Sequence, residues 1–169
     1  MLHKNSRERY DKLKMQFRRL MRNFNRDDLD DFIATTNSMP EWMKHDPTLT
    51  QEQRDALARF TVDEGIDWQT CHQIANRQKH VKPQRPGGLA LQVKSVSINP
   101  GGPGFLLQST QLARVVGSGE DISVDYSSFQ ESALAVVIRT FKHFHYMFEM
   151  ATIPPAQRQI PTMADLIGM

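Results

Sequence analysis

Five polar residues within a short span carry the chemistry this chain offers: His72, Asn76, Arg77, Lys79 and His80. His72, Asn76 and His80 recur every four residues, the spacing that puts side chains on one face of a helix. A neutral imidazole can take a proton, and a guanidinium or ammonium beside it can hold negative charge developing on phosphorus. Such a set can cleave RNA without a metal: a base draws the 2'-hydroxyl proton, that oxygen attacks its own phosphodiester, and a cation stabilises the result. One helix seldom presents both halves, whereas two copies facing each other across a dimer would. The plainer alternative is that His and Asn on a helix are solvated or hydrogen-bonded to a neighbouring element. His72 and His80 stand eight residues apart, about 12 Å along a helix, too far to share one ion, so neither metal nor cofactor is expected.

Other chemistry finds less support. Cys71, the single cysteine, lies with Trp68, Ile74 and Ala75 on the apolar side of the same segment, and His72 points about 100° away from it. Buried packing is therefore expected for the thiol rather than a Cys-His nucleophile, and one cysteine excludes an internal disulfide. His143 and His145 alternate around a later helix, so at most one is expected to face inward. No nucleophile elbow, P-loop or dinucleotide fingerprint occurs, and the glycines of NPGGPG and RPGG read as turns.

The elements that must position these residues follow from periodicity. Tyr10, Leu13, Phe17, Leu20 and Phe24 alternate spacings of three and four, an amphipathic first helix. Asp27 or Asp28 is expected to cap a second, with Leu29, Phe32, Ile33, Thr36 and Met39 inward and Pro40 either kinking it or restarting it before Trp42 and Met43. Thr50 and Gln53 spell a capping box for a third helix, with Leu57 and Phe60 inward and a stop near Gly65; Asp67 is expected to cap the fourth. From Leu89, Leu91 and Val93 to Val96 and Ile98 the pattern alternates, with a phase slip near Lys94 or Ser95 that suits a β-bulge. Strands over Phe105–Val116 and Ile122–Tyr126 would complete a meander. Ser128 and Glu131 read as a capping box for the last long helix, whose Leu134, Val137, Ile138, Phe141, Phe144 and Phe148 form the most apolar face in the chain. Ile153-Pro154-Pro155 ends it, and Met163, Leu166 and Ile167 give the tail a short apolar patch.

Helices with apolar stripes bury them on one another, so the expected fold is mainly α: an antiparallel helical bundle with a small antiparallel β-meander, at about 89–126, inserted before the last long helix. Residues 1–153 are read as one domain and 154–169 as a Pro-rich C-terminal tail. Net charge is only +2, yet residues 1–26 hold nine Lys and Arg against two acids, residues 27–67 eleven acids against three bases, and residues 68–94 five bases and no acid. These blocks can pair internally, stay solvated, or offer an anionic partner a surface that includes Arg18, Arg19 and Arg22. With no apolar run of 18 residues and no apolar leader, a cytoplasmic protein without a membrane span is expected.

CHQIANRQKHVK, followed by a meander and by ISVDYSSFQESALAVVIRTFKHF, resembles bacterial and phage-encoded helical proteins related to the HEPN superfamily, over roughly residues 28–150. The resemblance implies a small helical bundle, often a dimer, acting as a metal-independent ribonuclease or as an inactive adaptor in toxin-antitoxin, CRISPR or anti-phage systems. It places Asn76 at the polar position of the family motif and His80 at its histidine, whereas Ala75 stands where the family's catalytic Arg would be. The leading expectation is a noncatalytic module, a homodimer or part of a complex, that binds RNA or an anionic protein in defence or counter-defence through Arg18, Arg19, Arg22 and His72. The alternative is a HEPN-like ribonuclease with His80 as general base, Asn76 orienting it, and Arg77 or Lys79 neutralising phosphate.

Overall fold

The computed structural model describes residues 5–63, 66–79, 92–98, 119–151 and 153–167. His80, Gly65, the strand start at Leu89 and Leu91, and the strand expected over Phe105–Val116 lie outside the described residues, as do the side chains at 62, 63, 66, 78 and 79.

The first helix, α1 (Ser6–Arg22), buries Tyr10, Leu13, Phe17 and Leu20, the stripe that its spacing required. Asn5 caps it, its Oδ1 accepting from the Glu8 N–H. The second helix, α2 (Arg26–Lys44), is capped by Asn25 and not by Asp27 or Asp28. Those two carboxylates instead fill the first turn, where the helix dipole favours them. Pro40 lies inside α2, which continues unbroken to Lys44. Its missing N–H costs a hydrogen bond, but Leu29, Phe32 and Ile33 before it and Met43 after it are all buried, and that packing holds both halves in one helix.

Thr50 and Gln53 form the complete capping box of α3 (Gln51–Ala58), and a π-helical turn, Arg59–Asp63, extends it and buries Phe60. The fourth helix, α4 (Ile66–Lys79), buries Thr70, Cys71, Gln73, Ile74 and Ala75. Asp67 falls in its first turn rather than at its cap, and its carboxylate pairs with Arg139, 2.9 Å away.

The sheet is antiparallel, in the order β1 (Val93–Ile98), β2 (Ile122–Tyr126), β3 (Gln130–Ser132). The register shifts between Val93 and Ser95, where the phase of the sequence slips. Strand β3 takes the place of the expected capping box: Glu131 lies opposite Val124, and its carboxylate accepts from the Tyr126 hydroxyl at 2.7 Å and from Arg139. Helix α5 (Ala133–His145) therefore begins five residues beyond Ser128, with Ser132 at its N-cap making no side-chain cap bond.

Gly119 precedes β2 with φ +147° and pairs in parallel with Phe24 at the α1–α2 turn. A Cβ there would stand 2.5 Å from the Phe24 nitrogen, so only glycine lets the two backbones meet.

Helix α5 buries Leu134, Val137, Ile138, Phe141 and Phe144 and runs on as a π-helical turn, Tyr146–Met150, that buries Met147 and Phe148. The rings of Phe17 and Phe141 stack at 4.1 Å and those of Tyr10 and Phe148 at 4.6 Å, joining α1 to α5 and to the turn that follows it. The tail folds back: Arg158 donates to the carbonyls of Ala151 and Ile153, and α6 (Met163–Ile167) buries Leu166 in the core. The molecule is thus mainly helical, with a small antiparallel sheet inserted before the last long helix. No described helix is long and apolar enough to cross a membrane.

Candidate functional site

The polar row of α4 meets α2. His72 Nδ1 lies 2.7 Å from Asn37 Oδ1, and Asn76 Nδ2 lies 2.9 Å from His72 Nε2. An amide N–H2 can only donate, so His72 Nε2 accepts, and Nδ1 carries the proton that it gives to Asn37. These two contacts fit a single tautomer of the ring, on which the Trp68 indole stacks at 5.0 Å and 19°. Helix α4 can align His72 and Asn76 because they are four residues apart; Asn37 arrives from 35 positions away in the chain.

Of the residues expected to do chemistry, the structure joins Asn76 to His72. Arg77 is exposed and, one step along the helix, turned about 100° from Asn76. Lys79 ends α4. Cys71 is buried, 3.7 Å from Thr140 Oγ1, and burial pushes its thiol up to about 12, as expected of packing rather than of a nucleophile. His143 and His145 are both half-buried: one lies against Phe60, and Nδ1 of the other is 3.2 Å from the Tyr10 hydroxyl. Loss of solvation holds the His145 imidazole below its ordinary value. Among the described residues no three His, Cys, Asp or Glu side chains converge on a point where a metal could sit.

Arg7, Lys14 and Arg19, three of the seven Lys and Arg residues of α1, pair with acids. Arg19 pairs with Asp28 at 2.9 Å and reaches Asp31 at 3.5 Å, while Arg7 and Lys14 both pair with Glu149. Arg18 is half-buried and Arg22 exposed. Of the alternatives that the charge blocks left open, internal pairing therefore describes Arg19.

A second polar cluster went unread in the sequence. Arg139 bridges Asp67 of α4 and Glu131 of β3, and Glu131 also accepts from Tyr126, whose hydroxyl lies 3.0 Å from Thr70 Oγ1. Burial by itself would lower the Arg139 pKa, but the two carboxylates reverse that and hold it above its ordinary value. Both carboxylates pair with the one guanidinium, so the cluster ties helix to sheet. The run Thr35, Thr36, Asn37 on α2 was the available signal for the His72 contact; nothing local marked Arg139.

Comparison with protein-family models, with curated proteins and with solved structures finds no match to this chain.

Proposed function

We propose that this chain is a noncatalytic protein-binding module, acting in the cytoplasm as a homodimer or as part of a larger complex. The observation that carries the reading is the commitment of the two described members of α4's polar row: Asn76 donates to His72, and His72 donates to Asn37. A general base needs a nitrogen lone pair within reach of substrate, and the Nε2 lone pair of His72 is taken by the Asn76 amide. That side of α4 serves to clasp α2.

A protein partner is favoured over RNA because phosphates reaching α1 would compete with Glu149 for Arg7 and Lys14, and with Asp28 and Asp31 for Arg19. The bacterial or phage defence setting belongs to the same proposal and rests on the HEPN resemblance alone.

The test is incubation of purified protein with RNA in excess chelator from about pH 5 to 9, a range that brackets imidazole titration. RNA should stay intact with wild type and with His80→Ala alike. Metal-independent cleavage that disappears in His80→Ala would overturn the reading and make the chain a HEPN-like ribonuclease with His80 as general base.

A further inference from the structure

A groove of about 320 Å³ opens between the π-helical turn after α5 and the extended strap that leads to α6. Lys142, Tyr146 and Met150 form one wall, and Arg158, Ile160 and Pro161 the other. At the small end of ligand-site volumes, it holds a side chain or two rather than a cofactor.

Three features of this groove concur. The first is charge. Arg158 is neutralised by Glu52 and spends its other donors on the Tyr146 hydroxyl and on the carbonyls of Ala151 and Ile153. Lys142 is exposed, and no carboxylate among the described residues forms an ion pair with it. The rim is therefore net cationic above apolar walls. The second is Ile160, 92% exposed, the most open of the large apolar side chains described. An isolated exposed apolar residue is ordinary, but this one stands at the lip of an apolar groove. The third is the strap's main chain. Gln159 and Ile160 lie outside any regular element, and among the described residues neither makes a backbone hydrogen bond. Main chain of this kind beside an apolar groove leaves N–H and C=O groups that an extended peptide can pair with.

We propose that this groove seats an extended acidic-apolar segment of a partner protein. An apolar side chain packs against Tyr146, Met150 and Ile160, a carboxylate meets Lys142, and the peptide main chain pairs with Gln159 and Ile160. A small amphipathic carboxylate shares the charge and the apolar contact but gains nothing from the strap backbone. The proposal rests on the protein-binding reading above for its choice of a peptide.

The experiment titrates the full-length, isotope-labelled chain with three probes: a capped peptide alternating Leu and Asp, its counterpart alternating Leu and Lys, and decanoate. The acidic peptide should shift the amide resonances of Lys142, Tyr146, Gln159 and Ile160, and the basic peptide should not. Lys142→Glu, at an exposed position where melting temperature will report intact folding, should weaken the acidic peptide by about tenfold. Gln159→Pro removes one backbone donor, and Arg158 before it is already extended, with ψ 126°, as a residue preceding proline must be. It should weaken the peptide and leave decanoate unchanged. Equal binding of both peptides, acidic-peptide binding that survives Lys142→Glu, or decanoate binding where the acidic peptide fails would each overturn the proposal. RNA cleavage that depends on His80 would sink the noncatalytic reading and leave these titrations to be judged by themselves, so the two failures are distinguishable.

Discussion

Asp46 is the residue whose removal should reveal most about how the bundle is closed. Only 5% exposed, it accepts from the Ser6 N–H at 2.8 Å and from the Ser6 hydroxyl, and its second oxygen accepts from the Thr48 N–H and hydroxyl. It thereby satisfies a first-turn donor of α1 from 40 residues away, stitching the start of α1 to the end of α2. Burial works against its charge, but the bonds from Ser6 and Thr48 prevail and hold the carboxyl down at about 2, against an ordinary 3.8. At roughly 1.4 kcal/mol per unit, that difference contributes about 2 kcal/mol to stability when the carboxylate is ionised. Because the folded state binds the proton less tightly than the unfolded chain, this contribution is complete above about pH 4 and is lost as pH falls toward 2.

Asp46→Asn, which keeps the shape and removes the charge, should therefore cost about 2 kcal/mol at pH 7, and Asp46→Ala, which also strands buried donors, about 3 kcal/mol. Urea unfolding followed by circular dichroism at pH 7, 4 and 2.5 reads these differences. The gap between wild type and Asp46→Asn should be widest at the upper two values and narrow at the lowest. Other carboxylates titrate in the same range, but they are common to both proteins and cancel in the comparison. A cost under about 0.5 kcal/mol at pH 7, the range of an ordinary surface change, or a gap that does not narrow at pH 2.5, would refute the assignment.

Gly119→Ala should lower stability by more than about 2 kcal/mol, since it combines a left-handed backbone with a Cβ against Phe24; thermal melting decides, and an unchanged midpoint would refute the close approach. His72→Ala and Asn37→Ala should each cost about 1–2 kcal/mol, and their combination less than the sum, because both cut one hydrogen bond; full additivity in urea titrations would count against the clasp. Cys71 should resist a thiol reagent in the native protein at neutral pH and react at once in denaturant, and rapid native labelling would contradict its burial. Arg139→Ala should cost about 3 kcal/mol by leaving Asp67 buried without its partner, and Asp67→Asn in the same chain should recover part of that loss in the same unfolding assay.

The sequence by itself determined the elements whose pattern is local. Tyr10, Leu13, Phe17 and Leu20 had to share one face, as did Leu134, Val137, Ile138, Phe141 and Phe144, because a helix repeats every 3.6 residues and an apolar stripe gains by burial wherever it lands. The Thr50–Gln53 box was legible because both partners lie within one turn, and the slip at Val93–Ser95 because alternation breaks at a single residue. What only the tertiary structure decided is where polar groups find partners. Asn25 rather than Asp27 or Asp28 caps α2, since several residues in a row offer a suitable oxygen and the α1–α2 turn chooses among them. Glu131 is equally able to cap a helix or to join a strand, and Arg139 and Tyr126 draw it into β3. His72 has the residue type of a base, but Asn37, brought over by α2, makes it a clasp. Apolar burial is nondirectional and can be read from spacing alone, whereas a hydrogen bond needs one particular atom at about 3 Å, and only the folded chain brings that atom there.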